Sequence, residues 1–298
     1  MTKITDKKLN KSAYGFWEIV DKPSRKDLEL YYAEKYYQIG KGGAINYTSD
    51  ELIQIKNKLD VIWYVIQKNT NQSNLKTFLD VGCGEGNALA YFASKSFIVT
   101  GLDYSLAGVQ SKNPKYIDSL IVGDIYTSLE KQIFLQKKYD VIMLQNVLEH
   151  VLDPIDLMLN LKKLITPNGL ICISVPNDFS ITQMAAISYG HIQSAFWVSP
   201  PDHLNYFNNE SLLEVASVTG YDILDMIANF PIDFFLFNSA SNYVIDSSKG
   251  KAAHNARIQI ENLISQAPIA DVILLYKSFA KLGLGRNLTI FLRPNATK

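Results

Sequence analysis

The sequence predicts an α/β protein built on a doubly wound, mostly parallel sheet, and three observations carry that prediction. Short apolar runs rich in β-branched or aromatic residues recur from Phe78 onwards. Stretches with helical spacing alternate with those runs. The first run passes directly into the glycine-rich turn Gly82-Cys83-Gly84-Glu85-Gly86.

Taken in order, residues 1–74 read as an N-terminal helical cap. Thr48 followed by Glu51 is a capping-box pattern. Leu52, Ile55, Leu59, Ile62, Trp63 and Ile66 then make one apolar helical face. The α/β core spans 75–226. Its strands are Phe78 to Val81, Phe97 to Leu102, Leu120 to Val122, Val141 to Leu144 and Leu170 to Val175, composed like strands buried on both faces. Before the fifth strand, Asp153 as N-cap and Pro154 at the first position open a helix, and Pro167-Asn168-Gly169 follows it. A helix from about Glu210 to Val218 stops at Gly220, ahead of a strand at Tyr221 to Met226. The last strand, Asn287 to Leu292, lies in segment 287–298 and completes a seven-stranded sheet. The connection 227–286 is aromatic at its start (Phe230, Phe234, Phe235, Phe237) and helical later. Roughly sixty residues exceed the needs of a simple connection, so this insertion reads as a lid.

The 298 residues carry 29 basic and 29 acidic side chains. A net charge of zero gives no basic face for nucleic acid and no pull toward an anionic membrane. The N-terminus lacks a signal-peptide apolar stretch, and no apolar run nears the ~20 residues of a membrane span. A soluble cytoplasmic protein is expected, with Cys83 and Cys172 as buried reduced thiols.

Glycines after a strand let the chain turn sharply and let a ligand approach the backbone. The next helix begins near Asn87 and directs its free N–H groups at that ligand. Asn87 stands where the dinucleotide fingerprint G-x-G-x-x-G needs its last glycine. A nicotinamide-dependent dehydrogenase is accordingly disfavoured, and the spacing is G-x-G-x-G. Phe78-Leu79-Asp80-Val81-Gly82-Cys83-Gly84-Glu85-Gly86 resembles the first motif of class I S-adenosylmethionine-dependent methyltransferases. Asp103 and Tyr104 end the second strand, and an acid there suits ribose hydroxyls or an N-cap. Val122-Gly123-Asp124-Ile125 resembles the family's adenine-contacting position. Gln145-Asn146-Val147-Leu148-Glu149-His150-Val151 resembles the fourth-strand segment of the small-molecule branch, whose usual form ends in L-E-H-V. Pro201-Asp202-His203-Leu204-Asn205-Tyr206-Phe207 resembles its P-x-H-x-x-x-F segment.

The resemblance implies S-adenosylmethionine as cofactor, S-adenosylhomocysteine as product, and an antiparallel last strand. It implies cofactor binding by Asp80, Gly82, Gly84, Gly86, Asp103, Tyr104, Asp124, Ile125, Gln145 and Asn146. It also implies a small-molecule acceptor: O-methylation of a sugar or nucleotide sugar in a bacterial surface-polysaccharide or secondary-metabolite pathway. N- or C-methylation of another metabolite, or a non-catalytic cofactor-binding domain, are the alternatives. His203 and His150 are the candidate catalytic bases. Tyr36, Tyr37, Tyr206 and Arg257 are candidate acceptor contacts. Some quinone-directed members hold a divalent metal with the E-H pair and an upstream acid; Gln145 and Asn146 stand in that place, so no metal is expected.

Overall fold

The computed structural model describes residues 9–32, 47–70 and 75–295. β1 (Leu9–Lys11) and β2 (Trp17–Ile19) precede α1 (Arg25–Leu30) and the long α2 (Ser49–Asn69). The core then runs β3 (Thr77–Val81), α3 (Asn87–Ser94), β4 (Ile98–Asp103), α4 (Ala107–Lys112), β5 (Leu120–Val122) and α5 (Ile125–Phe134). It continues with β6 (Tyr139–Gln145), α6 (Pro154–Leu164) and β7 (Ile165–Pro176). Next come α7 (Ile181–Ser188), β8 (Asn205–Tyr206), α8 (Asn209–Val218) and β9 (Tyr221–Ala228). The helices α9 (Gly250–Ile264) and α10 (Ile269–Lys281) occupy the connection to β10 (Asn287–Pro294).

The main sheet has the order β5-β4-β3-β6-β7-β10-β9. The strands from β5 to β7 pair in parallel, and β10 is antiparallel to both β7 and β9, as expected. Connections leave β3 toward β4 on one side and return to β6 on the other, which opens a crevice at the carboxyl ends of these strands. Register holds the crevice level, because Val81 pairs with Leu102 on one side and Leu144 on the other.

Side chains alternate across the sheet with period two. Leu79, Val81, Leu102, Ile142, Leu144, Ile171 and Ile173 pack on one face. Phe78, Val99, Val141, Met143, Leu170, Cys172 and Phe291 pack on the other. Both faces are covered, which is why these strands read as unbroken apolar runs. Both cysteines are free and buried. No helix among the described residues is long and apolar enough to cross a membrane.

Two regions depart from the sequence expectation. The N-terminal part is not wholly helical, since β1 and β2 pair antiparallel and join β8 in a separate sheet. Strands this short show no alternation, and the partner strand is far along the chain. The insertion does not hang free either. Gln54 Nε2 donates to Glu261 Oε2 (2.8 Å), and Asn57 Nδ2 to Asn262 Oδ1 (3.2 Å). Val272, Ile273 and Tyr276 join the same apolar cluster as Leu59, Ile62 and Ile66 of α2.

Candidate functional site

The turn after β3 is fixed by its backbone. The Gly82 and Cys83 amides both donate to the Leu102 carbonyl, at 2.8 and 3.0 Å. Gly82 and Gly84 have φ of +71° and +55°, the left-handed region that costs other residues about 1–2 kcal/mol. A Cβ on Gly82 would lie 2.5 Å from Val147 Cγ2, whereas one on Gly84 would meet no atom of the described residues within 4 Å. Gly84 is therefore the glycine whose bare backbone faces open space. Its amide donates to Asp103 Oδ2 at 2.8 Å, and Asp103 Oδ1 accepts from Ser105 N at 3.0 Å.

The crevice holds a cleft of about 210 Å³. It brings together Gly82, Gly84, Asp103, Tyr104, Ile125, Gln145, Asn146 and His150. Gln145 Nε2 is buried and has no hydrogen-bond partner among the described residues. Asn146 is left-handed, with φ of +53°, and its Oδ1 accepts from Asn287 Nδ2 at 2.9 Å.

Three residues expected at the cofactor lie off the cleft lining. Asp80 is buried beneath the turn, and burial with Asp103 nearby pushes its carboxyl up to about 8. Gly86 is the N-cap of α3 at φ +74° and serves the turn itself. The Asp124 carboxylate, expected at the adenine, accepts hydrogen bonds from the protein's own groups. Its Oδ1 accepts from Arg25 and, at 2.8 Å, from the Thr127 amide, while Oδ2 accepts from the Tyr104 hydroxyl at 2.9 Å. Burial pushes that carboxyl up, but these donors, Arg25 foremost, outweigh it and hold it below the usual range.

The tyrosine-rich tract from Tyr31 to Tyr37, which the sequence offers as a cover for the cofactor or a wall of the acceptor pocket, brings Tyr32 to the cleft, whereas Leu28 was not foreseen. Leu28 and Tyr32, at the end of α1 and just past it, line it from above. The Tyr32 ring stacks on Tyr104 (5.2 Å, 17°) and stands edge-on to His150 at 6.1 Å. Nothing local in the sequence links Leu28 to the turn. Gly108 did leave a signal, as an isolated glycine near a helix start. A Cβ there would lie 2.3 Å from the Gly84 carbonyl oxygen.

The two candidate bases converge. The Glu149 carbonyl accepts from the Leu204 and Asn205 amides (2.8 and 3.0 Å), which clamps the segment after α7 beside the end of β6. The His150 and His203 rings then meet edge to face at 4.8 Å. His150 Nδ1 is 2.6 Å from the Asp202 carbonyl oxygen. Burial lowers the pKa of both imidazoles, that of His203 to about 3, with His150 and Arg286 adding to it. Glu149 is 1% exposed, and burial raises its carboxyl well above the ordinary value.

The acceptor residues divide. Tyr206, expected at the acceptor, is buried, and its hydroxyl donates to the His203 carbonyl (2.8 Å), which braces His203. Arg257 lines a second groove of about 390 Å³ with Phe196, Ile232, Tyr243 and Asn287. Asn287, on the wall of that groove, donates to Asn146 on the wall of the cleft (2.9 Å). Tyr36 and Tyr37 lie outside the described residues.

A family model described as a methyltransferase domain matches residues 59–225. A ubiquinone biosynthesis O-methyltransferase of Histophilus somni (strain 2336) is 34% identical over 119 residues, covering 38% of this chain and 50% of that protein. One from Rickettsia prowazekii (strain Madrid E) is 28% identical over 190 residues, covering 61% of this chain and 71% of the relative. The chain spans about half the length of the first of these curated relatives. Among solved structures, the plantazolicin methyltransferase BpumL in complex with SAH superposes with a TM-score of 0.51 at 17% identity, covering 90% of this chain and 94% of that one. A SAM-dependent methyltransferase from Archaeoglobus fulgidus gives 0.50 at 16%, covering 87% and 100%. At such identity the likeness is one of fold.

Proposed function

The chain belongs to the methyltransferase-domain family, and on that premise we propose that it uses S-adenosylmethionine to methylate a hydroxyl group of a small molecule. The cleft carries this reading. Gly84 is bare toward open space, Asp103 ends β4 beside it, and Gln145 offers an unused buried donor. These features fit a ligand with a carboxylate, a ribose and a flat base. The Gly84 turn and the start of α3 would hold the amino-acid end, Asp103 the ribose, and Tyr104 with Ile125 the base. When bound, the cofactor supplies a methyl group already activated by its sulfonium.

The protein's own part is to exclude water, align the acceptor and manage one proton. Tyr32 and Leu28 close the cleft from the N-terminal side. The acceptor would bind along the second groove, whose wall residue Asn287 is hydrogen-bonded to Asn146 of the cleft. Its hydroxyl proton would leave toward the His150–His203 pair, which is uncharged at neutral pH. The relatives' printed names favour a hydroxyl on a quinone-type ring, and Phe196, Ile232 and Tyr243 suit such a ring. A sugar or nucleotide sugar is the second reading, favoured by Asn229, Asn287 and Arg257 along the same groove.

Calorimetry with S-adenosylhomocysteine tests the cofactor. Wild type is expected to bind, and Asp103→Ala to bind about tenfold or more weakly through loss of a charged hydrogen-bond partner. Equal affinity in the two proteins would remove the cofactor assignment. Methyl transfer to phenolic and to sugar acceptors, run side by side, decides between the two acceptor readings.

A further inference from the structure

We propose that the second groove holds a carboxylate or phosphate carried by the acceptor, gripped by Arg257, Arg286 and the first turn of α9. Calling the bound molecule the acceptor rests on the function proposed above; the groove's preference for an oxyanion does not. The consequence is a selection rule: an acidic acceptor is taken ahead of its neutral counterpart, whichever ring or sugar carries the acid.

The two arginines are the first observation. Both line the groove of about 390 Å³, with side chains only 18% (Arg257) and 23% (Arg286) exposed. Sheltering a guanidinium from water is costly unless it is paired and hydrogen-bonded. Each reaches a carboxylate through one nitrogen: Arg257 Nη1 donates to Glu261 Oε2 at 3.1 Å, and Arg286 Nη1 to Asp178 Oδ1 at 3.0 Å. A guanidinium carries further N–H donors on its other two nitrogens. Among the described residues no acceptor meets Nη2 or Nε of Arg286. Neither carboxylate lines the groove, and no described residue that does is acidic. Holding the fold together does not account for Arg257. It stands four residues from Glu261 on one helix, so their pair attaches the insertion to nothing. Gln54 of α2 makes that attachment, by donating to the same Glu261 oxygen.

The helix end is the second observation, and it is independent of the first. α9 runs for 15 residues, and Gly250 and Ala253 of its first turn line the groove. Its N-cap residue, Lys249, makes no side-chain cap, and the first turn carries no acidic residue. The positive end of the helix dipole is therefore uncompensated where it meets the groove. A Cβ on Gly250 would meet no atom of the described residues within 4 Å, so an anion can come close to that backbone. Planar guanidinium forks and a helix amino terminus both favour carboxylate and phosphate oxygens. Phe196, Ile232 and Tyr243 share the wall and keep the local dielectric low, which strengthens each polar contact. A neutral acceptor would displace water from the groove and leave the arginine donors unspent. Sites built around a polar group reject analogues that lack it for the same reason. Pinning the acid also fixes which hydroxyl of the acceptor is presented for transfer.

The probes are benzoate, phenyl phosphate and the neutral benzyl alcohol, titrated by calorimetry into the full chain with S-adenosylhomocysteine present to fill the cleft. S-Adenosylhomocysteine binding is measured on the same samples. Expected is a preference of about tenfold or more for an anion over benzyl alcohol, shrinking as salt is raised. A lead for benzoate assigns the pocket to a carboxylate and a lead for phenyl phosphate to a phosphate; either supports it. Arg257→Met removes one fork, and Arg286→Lys keeps a charge beside Asp178 while removing the other. Each should weaken the anion about tenfold and leave benzyl alcohol and S-adenosylhomocysteine within about twofold. No measurable anion binding, equal wild-type affinity for charged and neutral probes, or a preference unchanged in the folded variants overturns the pocket. If a variant fails to fold by circular dichroism, the wild-type comparison of charged and neutral probes still decides. S-Adenosylhomocysteine binding without an anion preference overturns the pocket alone. An anion preference that depends on the arginines, without S-adenosylhomocysteine binding, keeps the pocket and overturns the cofactor reading.

Discussion

Gly82 and Gly84 share a backbone conformation and differ in their surroundings, which separates two roles of glycine in one turn. Gly82→Ala must displace Val147 as well as strain φ, and should cost about 2–4 kcal/mol in urea unfolding. Gly84→Ala carries only the φ strain, about 1–2 kcal/mol. It sets a methyl group in the cleft, however, and should weaken S-adenosylhomocysteine by about tenfold while Gly82→Ala harms stability more than binding. The reverse ordering would mean that the open side of the turn has been misidentified. At this scale the site was legible where its residues directly follow strand ends: Gly82, Gly84, Asp103, Tyr104, Gln145 and Asn146 all fall in the cleft. The partners of Asp124 were not legible, because the main one, Arg25, lies 99 residues upstream. A local pattern cannot reveal that its carboxylate is already engaged.

Among the elements, α1 has the clearest functional consequence. Ser24 and Asp27 form a reciprocal capping box that fixes where the helix starts. That start directs Arg25 to Asp124 and carries Leu28 and Tyr32 over the cleft. The Arg25 side chain is 46% exposed, so Arg25→Ala should change stability by about 1 kcal/mol or less. Its effect should appear in kinetics: S-adenosylhomocysteine should dissociate several-fold faster in stopped flow as the cover loosens. Identical off-rates would show that α1 does not restrain the ligand. Helix ends were readable from sequence, since the Thr48–Glu51 box and the Asp153–Pro154 cap both form. The sheet of β1, β2 and β8 was not, because three-residue strands gain their order from a distant partner and not from their own composition.

At the level of the whole molecule, stability should depend on pH through Asp80. Its folded pKa of about 8 lies above the ~3.9 of an unfolded aspartate. Between those values the folded chain keeps a proton that the unfolded chain has lost, so stability falls as pH rises through that window. The slope from this group is at most ~1.4 kcal/mol per pH unit. Urea unfolding at pH 5 and pH 8 should show the decline, and Asp80→Asn should flatten it; equal slopes in the two proteins would refute the assignment. The same folded chain also holds an ordering constraint in β10. Of the described strands in that sheet it comes last in chain order, yet it lies inside the sheet, with Leu288 opposite Val175 on one side and Ala228 on the other. Until residues 287–294 have left the ribosome, β7 and β9 each offer an unpaired edge. The half of the sheet that carries the glycine turn can assemble early, but it waits with an open flank through the synthesis of more than a hundred residues. For this chain, the interval before β10 arrives is when mispairing and aggregation compete most strongly with folding.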